Sequence, residues 1–173
     1  MESSKVVVID TETELIGPNS VVPRLICASF CHDGEEPYVL STSDEELEPL
    51  LRRLLQPGGP LLVMHNAAFD VPVLYNAYPA LQALTMPNGT VKRISYSLAA
   101  LVEFYLDVDI SSAKEGDDAW RKSYSLLDGL KAAQYPQSAY EYAADDAGYT
   151  FGVFVKQEAK AETPAALGNL EVA

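Results

Sequence analysis

The sequence predicts an α/β sandwich in which helices flank a mixed central sheet. Short apolar segments that read as strands come first, and strand and helix patterns then alternate along the chain. The length of 173 residues, with 48% hydrophobic and 21% charged residues, is typical of one globular domain with a sizeable core. We expect this domain to span residues 1–160, and residues 161–173 to form a flexible C-terminal tail.

The first three strands are predicted at residues 5–10, 24–31 and 37–41. The first is a β-branched apolar run, and an Asp-Gly pair between the second and third indicates a tight turn. An amphipathic helix is expected over residues 42–55, with Ser43 and Glu46 as a capping box and leucines along one face. Pro49 is expected to kink the first turns of this helix.

The second half of the chain alternates between regular and irregular segments. A fourth strand is predicted at residues 61–64. It runs into "HNAAFD", and a helix is then expected through about Tyr78. Prolines and an Asn-Gly pair predict a loop over residues 78–93. A helix follows over 97–106, then a polar and acidic surface loop over 107–123. A long helix is predicted over 138–159.

The bulk composition narrows the classes of function. No run is long and apolar enough to span a bilayer, and the first strand begins too early for a signal peptide, so we expect no membrane partner and a cytoplasmic location. The net charge of −13 argues against a large basic surface for duplex nucleic acid. It is compatible with an enzyme that holds a few nucleotides through bound cations. Cys27 and Cys31 are expected to be core thiols, because a zinc site would need two more ligands.

Acidic residues follow two of the predicted strands. Asp10 and Glu12 come at the end of the first, and a strand places residues i and i+2 on the same face. Two like charges held together are unfavourable unless a proton or a cation lies between them, so this pair predicts a metal site. Asp70 follows the fourth strand at the start of a helix, where open α/β sheets tend to bind ligands.

A third motif lies on the last helix. Tyr142 and Asp146 are four residues apart and share a face, whereas Asp145 points away and is expected to be solvated. Each motif alone has an ordinary explanation, since an acid near a helix start is commonly a cap and a Tyr–Asp pair is commonly one surface hydrogen bond. The presence of all three, each on an element that can direct it to one point, favours a shared site.

Together the motifs resemble the DEDD superfamily of 3′–5′ exonucleases, in its tyrosine-bearing (DEDDy) branch. That branch includes ribonuclease D and the proofreading domain of polymerase I-type, or family A, DNA polymerases. The matching residues are Asp10 and Glu12 in the DxE motif, Asn66, Phe69 and Asp70 in the second motif, and Tyr142 and Asp146 in the YxxxD motif. The resemblance covers residues 5 to about 158 and implies a ribonuclease H-like (DnaQ-like) fold. The loop "SSAKEGDDAWRKSY" looks more like phage-encoded exonucleases.

The resemblance implies a reaction and a cofactor. Two divalent cations, Mg²⁺ or Mn²⁺, about 3.5–4 Å apart, can activate a water and stabilise the leaving oxygen of a phosphodiester. By the resemblance, Asp10 bridges both metals, Glu12 and Asp146 complete the first metal's protein ligands, and Asp70 holds the second through water. Tyr142 would orient the attacking water, and nucleoside 5′-monophosphates would be released.

The resemblance also suggests substrate contacts. The Thr13 backbone and Leu15 or Ile16 would pack at the terminal nucleotide, and Asn66 and Phe69 would hold the penultimate one. For the segment "AWRKSY" two interpretations stay open. Its residues Arg121, Lys122 and Tyr124 form a grip on the nucleic-acid backbone, or the segment is a solvated loop anchored by Trp120.

The leading functional interpretation is a proofreading-type exonuclease that acts on the 3′ end of single-stranded or frayed DNA, with a DNA polymerase as an expected partner. The alternative enzyme is an RNA-trimming exonuclease like ribonuclease D. A different class of function, a catalytically silent module that scaffolds or binds single strands, would be favoured by loss of any one acid. All four acids and Tyr142 are present.

Overall fold

The computed structural model describes residues 5–17, 22–56, 58–83, 97–111 and 120–161. Its strands are β1 (Val6–Thr13), β2 (Leu25–His32), β3 (Tyr38–Ser41) and β4 (Leu61–Val63). Its helices are α1 (Leu47–Leu55), α2 (Ala67–Ala77), α3 (Leu98–Leu106) and α4 (Gln137–Ala161). Short 3-10 turns occupy Pro79–Ala83, Trp120–Lys122, Tyr124–Leu127 and Ala132–Gln134.

The four strands form one mixed sheet in the order β3-β2-β1-β4. β1 pairs antiparallel with β2 and parallel with β4, while β2 pairs antiparallel with β3. Because side chains alternate along a strand, each strand contributes to both faces of the sheet. The core under α1 and α2 includes Val7, Ile9, Ala28 and Phe30, and the cores under α4 include Val8, Cys27, Cys31 and Val39. The predicted α/β architecture with helices on both sides is confirmed.

The turn between β2 and β3 holds the start of β1. Asp33 and Gly34 both have positive φ, 45° and 83°, and the Glu35 N–H donates to the His32 carbonyl at 2.7 Å. This is the mirror-image turn that matches the twist of a hairpin, and it favours the Asp-Gly pair found here. The Asp33 carboxylate also accepts the backbone N–H groups of Lys5 and Val6. The turn therefore fixes where β1 enters the sheet.

Helix α1 differs from its prediction. It begins at Leu47, and its N-cap Glu46 makes no side-chain capping hydrogen bond, so the predicted capping box of Ser43 and Glu46 is wrong. The helix begins four residues after Ser43, which is too far along for Ser43 to be its N-cap. The Asp44 carboxylate, between them, accepts the N–H of Ser41 at 2.8 Å and that of Ala132 at 2.9 Å. Pro49 lies in the first turn, where its missing N–H would have no acceptor within the helix. The predicted apolar stripe is confirmed, and its buried members are Leu47, Leu50, Leu51, Leu54 and Leu55.

The outer edge of β3 is covered by side chains. The N–H of Val39 donates to the Tyr140 hydroxyl at 3.3 Å, and that of Ser41 donates to Asp44. An edge strand with free donors can pair with another chain. Here both outward donors of the strand already have acceptors within the protein.

Helix α4 packs against the sheet through alanines. Ala139, Ala143 and Ala147 follow at intervals of four residues and are completely buried. They share one face of the helix, and their small side chains let its backbone lie close to the strands. The predicted long helix is confirmed, with ends at residues 137 and 161.

The remaining predictions have mixed outcomes. The predicted loop over 78–93 begins with the 3-10 turn Pro79–Ala83, and the one over 107–123 ends with the turn Trp120–Lys122. Three predicted segments lie outside the described residues: residues 84–93 of the first loop, residues 112–119 of the second, and the tail from residue 162. Cys27 and Cys31 are buried free thiols, as expected. Among the described helices, none is both long and apolar enough to cross a membrane.

Candidate active site

Strand β1 carries two of the predicted acids into the sheet. The strand continues past Asp10 to Thr13, so Asp10 pairs opposite Ser29 and Glu12 opposite Cys27. The period of two places both carboxylates on the face covered by α4. The register shifts between Glu12 and Thr13, so the regular pairing of β1 with β2 is interrupted immediately after the second acid.

Helix α4 brings the third acid to the same place. Asp146 precedes Ala147, one of the buried alanines, and is itself only 8% exposed. One carboxylate oxygen from each of Asp10, Glu12 and Asp146 lies within 4.8 Å of the other two. The structure therefore brings together three of the four predicted acids, here called the carboxylate cluster. Asp145, the neighbouring residue, is exposed, as its position on the helix predicts.

The chemistry of the carboxylate cluster fits a hard divalent cation. All its donors are oxygens, which suit Mg²⁺ or Mn²⁺. Three like charges at this distance, two of them on buried side chains, repel one another unless a cation or a proton compensates them.

Tyr142 lies at the edge of the carboxylate cluster. Its half-buried position raises the pKa of its hydroxyl, and the charges of Asp146 and Glu12 raise it further, while the Arg121 guanidinium acts in the opposite direction. The hydroxyl is therefore protonated at neutral pH and carries a hydrogen that it can donate. Its ring packs at a tilt on Tyr124, with ring centroids 6.2 Å apart.

Tyr124 lies in the core and packs against the ring of Tyr142. The residue is completely buried, and its hydroxyl donates to the Ala139 carbonyl at 2.7 Å. Of the two interpretations of this segment, the one in which Tyr124 grips a nucleic-acid backbone is therefore wrong, because 3-10 turns direct this ring into the core. Trp120 packs beside Tyr124 and donates from Nε1 to the Ser138 hydroxyl at 3.0 Å, which agrees with the anchoring role proposed for it. Arg121 is exposed.

Cys27 adds no charge to the site. Burial raises the pKa of its thiol well above the usual range, and the charges of Glu12 and Asp10 raise it further. The thiol is therefore protonated and acts as a small apolar neighbour of Glu12.

Asp70 lies outside the carboxylate cluster. It belongs to the first turn of α2, on the opposite side of the sheet from α4, and is only 2% exposed. Its Oδ1 accepts a hydrogen bond of 2.6 Å from the Thr11 hydroxyl, and Oδ2 is buried with no hydrogen-bond partner among the described residues. Burial raises the pKa of Asp70 to about 6, although the Thr11 hydrogen bond acts against this.

Thr11 is the residue that sequence reasoning missed. It stands between Asp10 and Glu12 and, by the alternation of β1, points to the other face of the sheet. Its partner is 59 residues away in the chain. The signal in the sequence was the position of Thr11 between two acids.

The predicted substrate residues surround this end of β1 and α2. Leu15 and Ile16, just beyond the strand, are 62% and 64% exposed. Asn66 is exposed at the N-cap of α2 and makes no side-chain capping bond, while Phe69 is half-buried against the core. The Thr13 hydroxyl donates to the Glu14 carbonyl at 2.8 Å. Two apolar side chains and one amide are thus accessible near the predicted site.

Comparison with known proteins gives one family and two similar folds. The family model DNA_pol_A_exo1, described as a 3′–5′ exonuclease, matches residues 1–161. Escherichia coli RNase D, an exoribonuclease involved in structured RNA processing, is similar in structure with a TM-score of 0.61 and 21% identity. That match covers 95% of this chain and 43% of RNase D, so the chain spans less than half the length of that protein. No curated protein sequence matches the chain.

The Aedes aegypti Nibbler EXO domain is also similar, with a TM-score of 0.64 and 13% identity over 98% of this chain and 82% of that one. At these identities the two structures establish a shared fold, which agrees with the ribonuclease H-like architecture expected from the sequence.

Proposed function

Since this chain belongs to the 3′–5′ exonuclease family of the DEDD superfamily, we propose that it removes nucleoside 5′-monophosphates from the 3′ end of single-stranded or frayed DNA, as a proofreading-type activity. The observation that carries the proposal is the carboxylate cluster of Asp10, Glu12 and Asp146, with the Tyr142 hydroxyl at its edge. The proposal extends to a DNA polymerase as the functional partner, which the name of the matching family model favours.

The acids and Tyr142 would have different roles in the reaction. Asp10, Glu12 and Asp146 would hold one divalent cation, and Asp10 and Asp70 would hold a second, with Asp70 acting through water. When bound, two such cations supply an activated water and stabilise the leaving oxygen. Tyr142 would orient the attacking water through its protonated hydroxyl, because a phenol with a raised pKa positions better than it accepts a proton.

The substrate contacts follow from exposure and charge. Leu15 and Ile16 would pack against the terminal base, a contact that tolerates any sequence because every base has an apolar face. Asn66 and Phe69 would hold the penultimate nucleotide. Arg121 is exposed and close enough to Tyr142 to influence its pKa, so its guanidinium would bind the phosphate next to the scissile bond.

RNA is the second candidate substrate. The structural similarity to Escherichia coli RNase D, an exoribonuclease, favours it. The two candidates differ by the 2′-hydroxyl of the terminal sugar, which a protein can accept or exclude.

One experiment tests the reaction and the substrate together. Single strands of DNA and RNA with the same sequence and a 5′ label are digested side by side with Mg²⁺, Mn²⁺ or EDTA. We expect a ladder that shortens stepwise from the 3′ end, no reaction in EDTA, and faster digestion of DNA. Full activity in EDTA, or cutting of a closed single-stranded circle, would reject the proposed exonuclease. Faster digestion of RNA would reject the DNA assignment alone.

A further inference from the structure

The contact between Thr11 and Asp70 joins two elements that both contribute acids to the proposed site. The Thr11 hydroxyl donates to Asp70 Oδ1 at 2.6 Å, and both side chains are buried. A hydroxyl that donates to a carboxylate forms one of the shorter and stronger kinds of protein hydrogen bond. This bond therefore fixes the position of Oδ1 relative to β1.

The other oxygen of the same carboxylate has different surroundings. Asp70 Oδ2 is fully buried and makes no hydrogen bond within the part of the chain that the structure describes. An unpaired buried carboxylate oxygen is unfavourable, and in a native protein such an atom calls for an explanation. A ligand that binds at this atom would supply one.

We propose that Thr11 is a positioning residue for the second divalent cation: its hydroxyl engages Oδ1 and so holds Oδ2 ready for that cation or its water. The inference rests on the proposed function, since it takes Asp70 as the protein ligand on that side. A carboxylate is planar, so a hydrogen bond to one oxygen also restrains where the other oxygen can lie.

Because side chains alternate along β1, the DxE motif contributes side chains to both faces of the sheet. Asp10 and Glu12 face α4, whereas Thr11 faces α2. The middle residue of the DxE motif is thus the one whose side chain can reach an acid on α2. A hydrogen bond that orients a metal ligand from outside its coordination shell commonly changes metal affinity by about 10- to 100-fold.

The competing explanation is structural: the bond ties α2 to β1 and has no selective effect on a cation. Thr11→Val and Thr11→Ser separate the two explanations, because valine keeps the shape of threonine without the hydroxyl and serine keeps the hydroxyl. Thr150→Val is a matched control, since Thr150 is similarly buried and its hydroxyl makes no hydrogen bond to any described residue.

The measurement is Mn²⁺ binding, followed by electron paramagnetic resonance of free Mn²⁺ with thymidine 5′-monophosphate present. We expect wild type to bind two Mn²⁺. We expect Thr11→Val to weaken the second ion by about 10- to 100-fold and to leave the first unchanged. Thr11→Ser and Thr150→Val should stay within about threefold of wild type, and adding Thr11→Val to Asp70→Asn should change nothing further.

Several outcomes would overturn the inference. They are wild-type affinity for both ions in Thr11→Val, equal losses in Thr11→Val and Thr11→Ser, and additive effects of the Thr11 and Asp70 substitutions. Thr11→Ala replaces Thr11→Val if circular dichroism shows that the valine variant does not fold. If wild type binds fewer than two Mn²⁺ and does not shorten DNA or RNA, the proposed function fails as well. If wild type shortens a strand normally and only the Thr11 effect is missing, the proposed function survives.

Discussion

At the scale of single residues, the carboxylate cluster is expected to favour cation binding and to lower the stability of the cation-free protein. Three acids lie within 4.8 Å, an arrangement that a cation would favour and that repels itself without one. Asp10→Asn removes one of these charges while keeping the size of the side chain. We expect cleavage to be lost and the thermal midpoint in EDTA to be unchanged or raised. Calorimetry or a circular-dichroism melt, together with the labelled-strand assay, checks both. A large drop in the midpoint would mean that Asp10 mainly supports the fold.

Tyr142 and Asp146 are expected to differ in importance although they share a face of α4. Tyr142→Phe keeps the ring packed on Tyr124 and removes only the hydroxyl, so the rate should fall by about ten- to a hundred-fold. Asp146→Asn removes a charged member of the carboxylate cluster and should be far worse.

The chain offers a matched control for this comparison. Asp145→Asn makes the same substitution one residue away on the exposed side of α4 and should leave the rate close to wild type. Single-turnover rates of all four proteins decide the question. An unchanged rate in Tyr142→Phe would assign the orientation of the water to another group.

The residues that could be predicted are those placed by local geometry. Side chains alternate along a strand, so Asp10 and Glu12 lie on one face. Both the apolar strand and the spacing of two residues are visible in the sequence. The bond from Thr11 to Asp70 depends on how α2 approaches β1, which no local pattern contains. The two interpretations of the segment with Tyr124 could not be separated for a related reason, since its burial follows from 3-10 turns that have no apolar periodicity.

At the scale of elements, Asp44 ties the end of β3 to the 3-10 turn at Ala132–Gln134. Burial alone would raise the pKa of this carboxyl, but the N–H groups of Ala132 and Ser41 and the Ser41 hydroxyl outweigh burial and lower it. A group with a lowered folded pKa stabilises the protein above its unfolded pKa, and this contribution is lost as the pH falls through the folded value.

Asp44→Ala leaves the Ser41 and Ala132 donors without this acceptor, so it should reduce the free energy of unfolding by about 1–3 kcal/mol at neutral pH. Urea unfolding of wild type and variant across pH measures the difference. It should narrow as the pH falls below the ordinary value of 3.8. Asp109→Ala is the control, because this exposed carboxylate accepts the N–H and hydroxyl of the nearby Ser111, and a much smaller change is expected. A difference in unfolding free energy that stays constant as the pH falls below 3.8 would rule out ionisation of Asp44 as the cause.

Elements with strong periodicity were predictable, and those held by tertiary bonds were not. The alternating and apolar patterns located all four described strands, and the leucine stripe located α1. The start of α1 was predicted too early because a capping-box pattern also occurs in turns, and residues 42–46 precede the helix instead of beginning it. The bond from Ala132 to Asp44, 88 residues away, could not be predicted from any local pattern. The 3-10 turns near Trp120 were missed because three or four residues are too few to show a period.

At the scale of the whole molecule, the charge of −13 leaves little surface for duplex DNA. We expect the order of rates to be single strand, then duplex with several terminal mismatches, then fully paired duplex. Melting one stacked step costs about 1.4 kcal/mol, so each melted step should slow the reaction roughly tenfold. One labelled strand, presented in these three forms at fixed salt, gives the comparison. Equal rates for single strand and paired duplex would require a duplex-binding surface.

The alanine face of α4 makes the activity vulnerable to substitutions that look harmless. Ala143 is completely buried between α4 and the sheet, and Asp146 lies less than one turn further along the helix. A larger apolar residue there would strain the packing by about 1–3 kcal/mol, a loss many domains survive, while moving Asp146 away from the acids on β1. In a random-mutagenesis library sorted for soluble but inactive protein, Ala143→Val and Ala147→Val should therefore be recovered alongside changes of the acids themselves. A survey of inactive variants that counted only charged or polar positions would miss this second group.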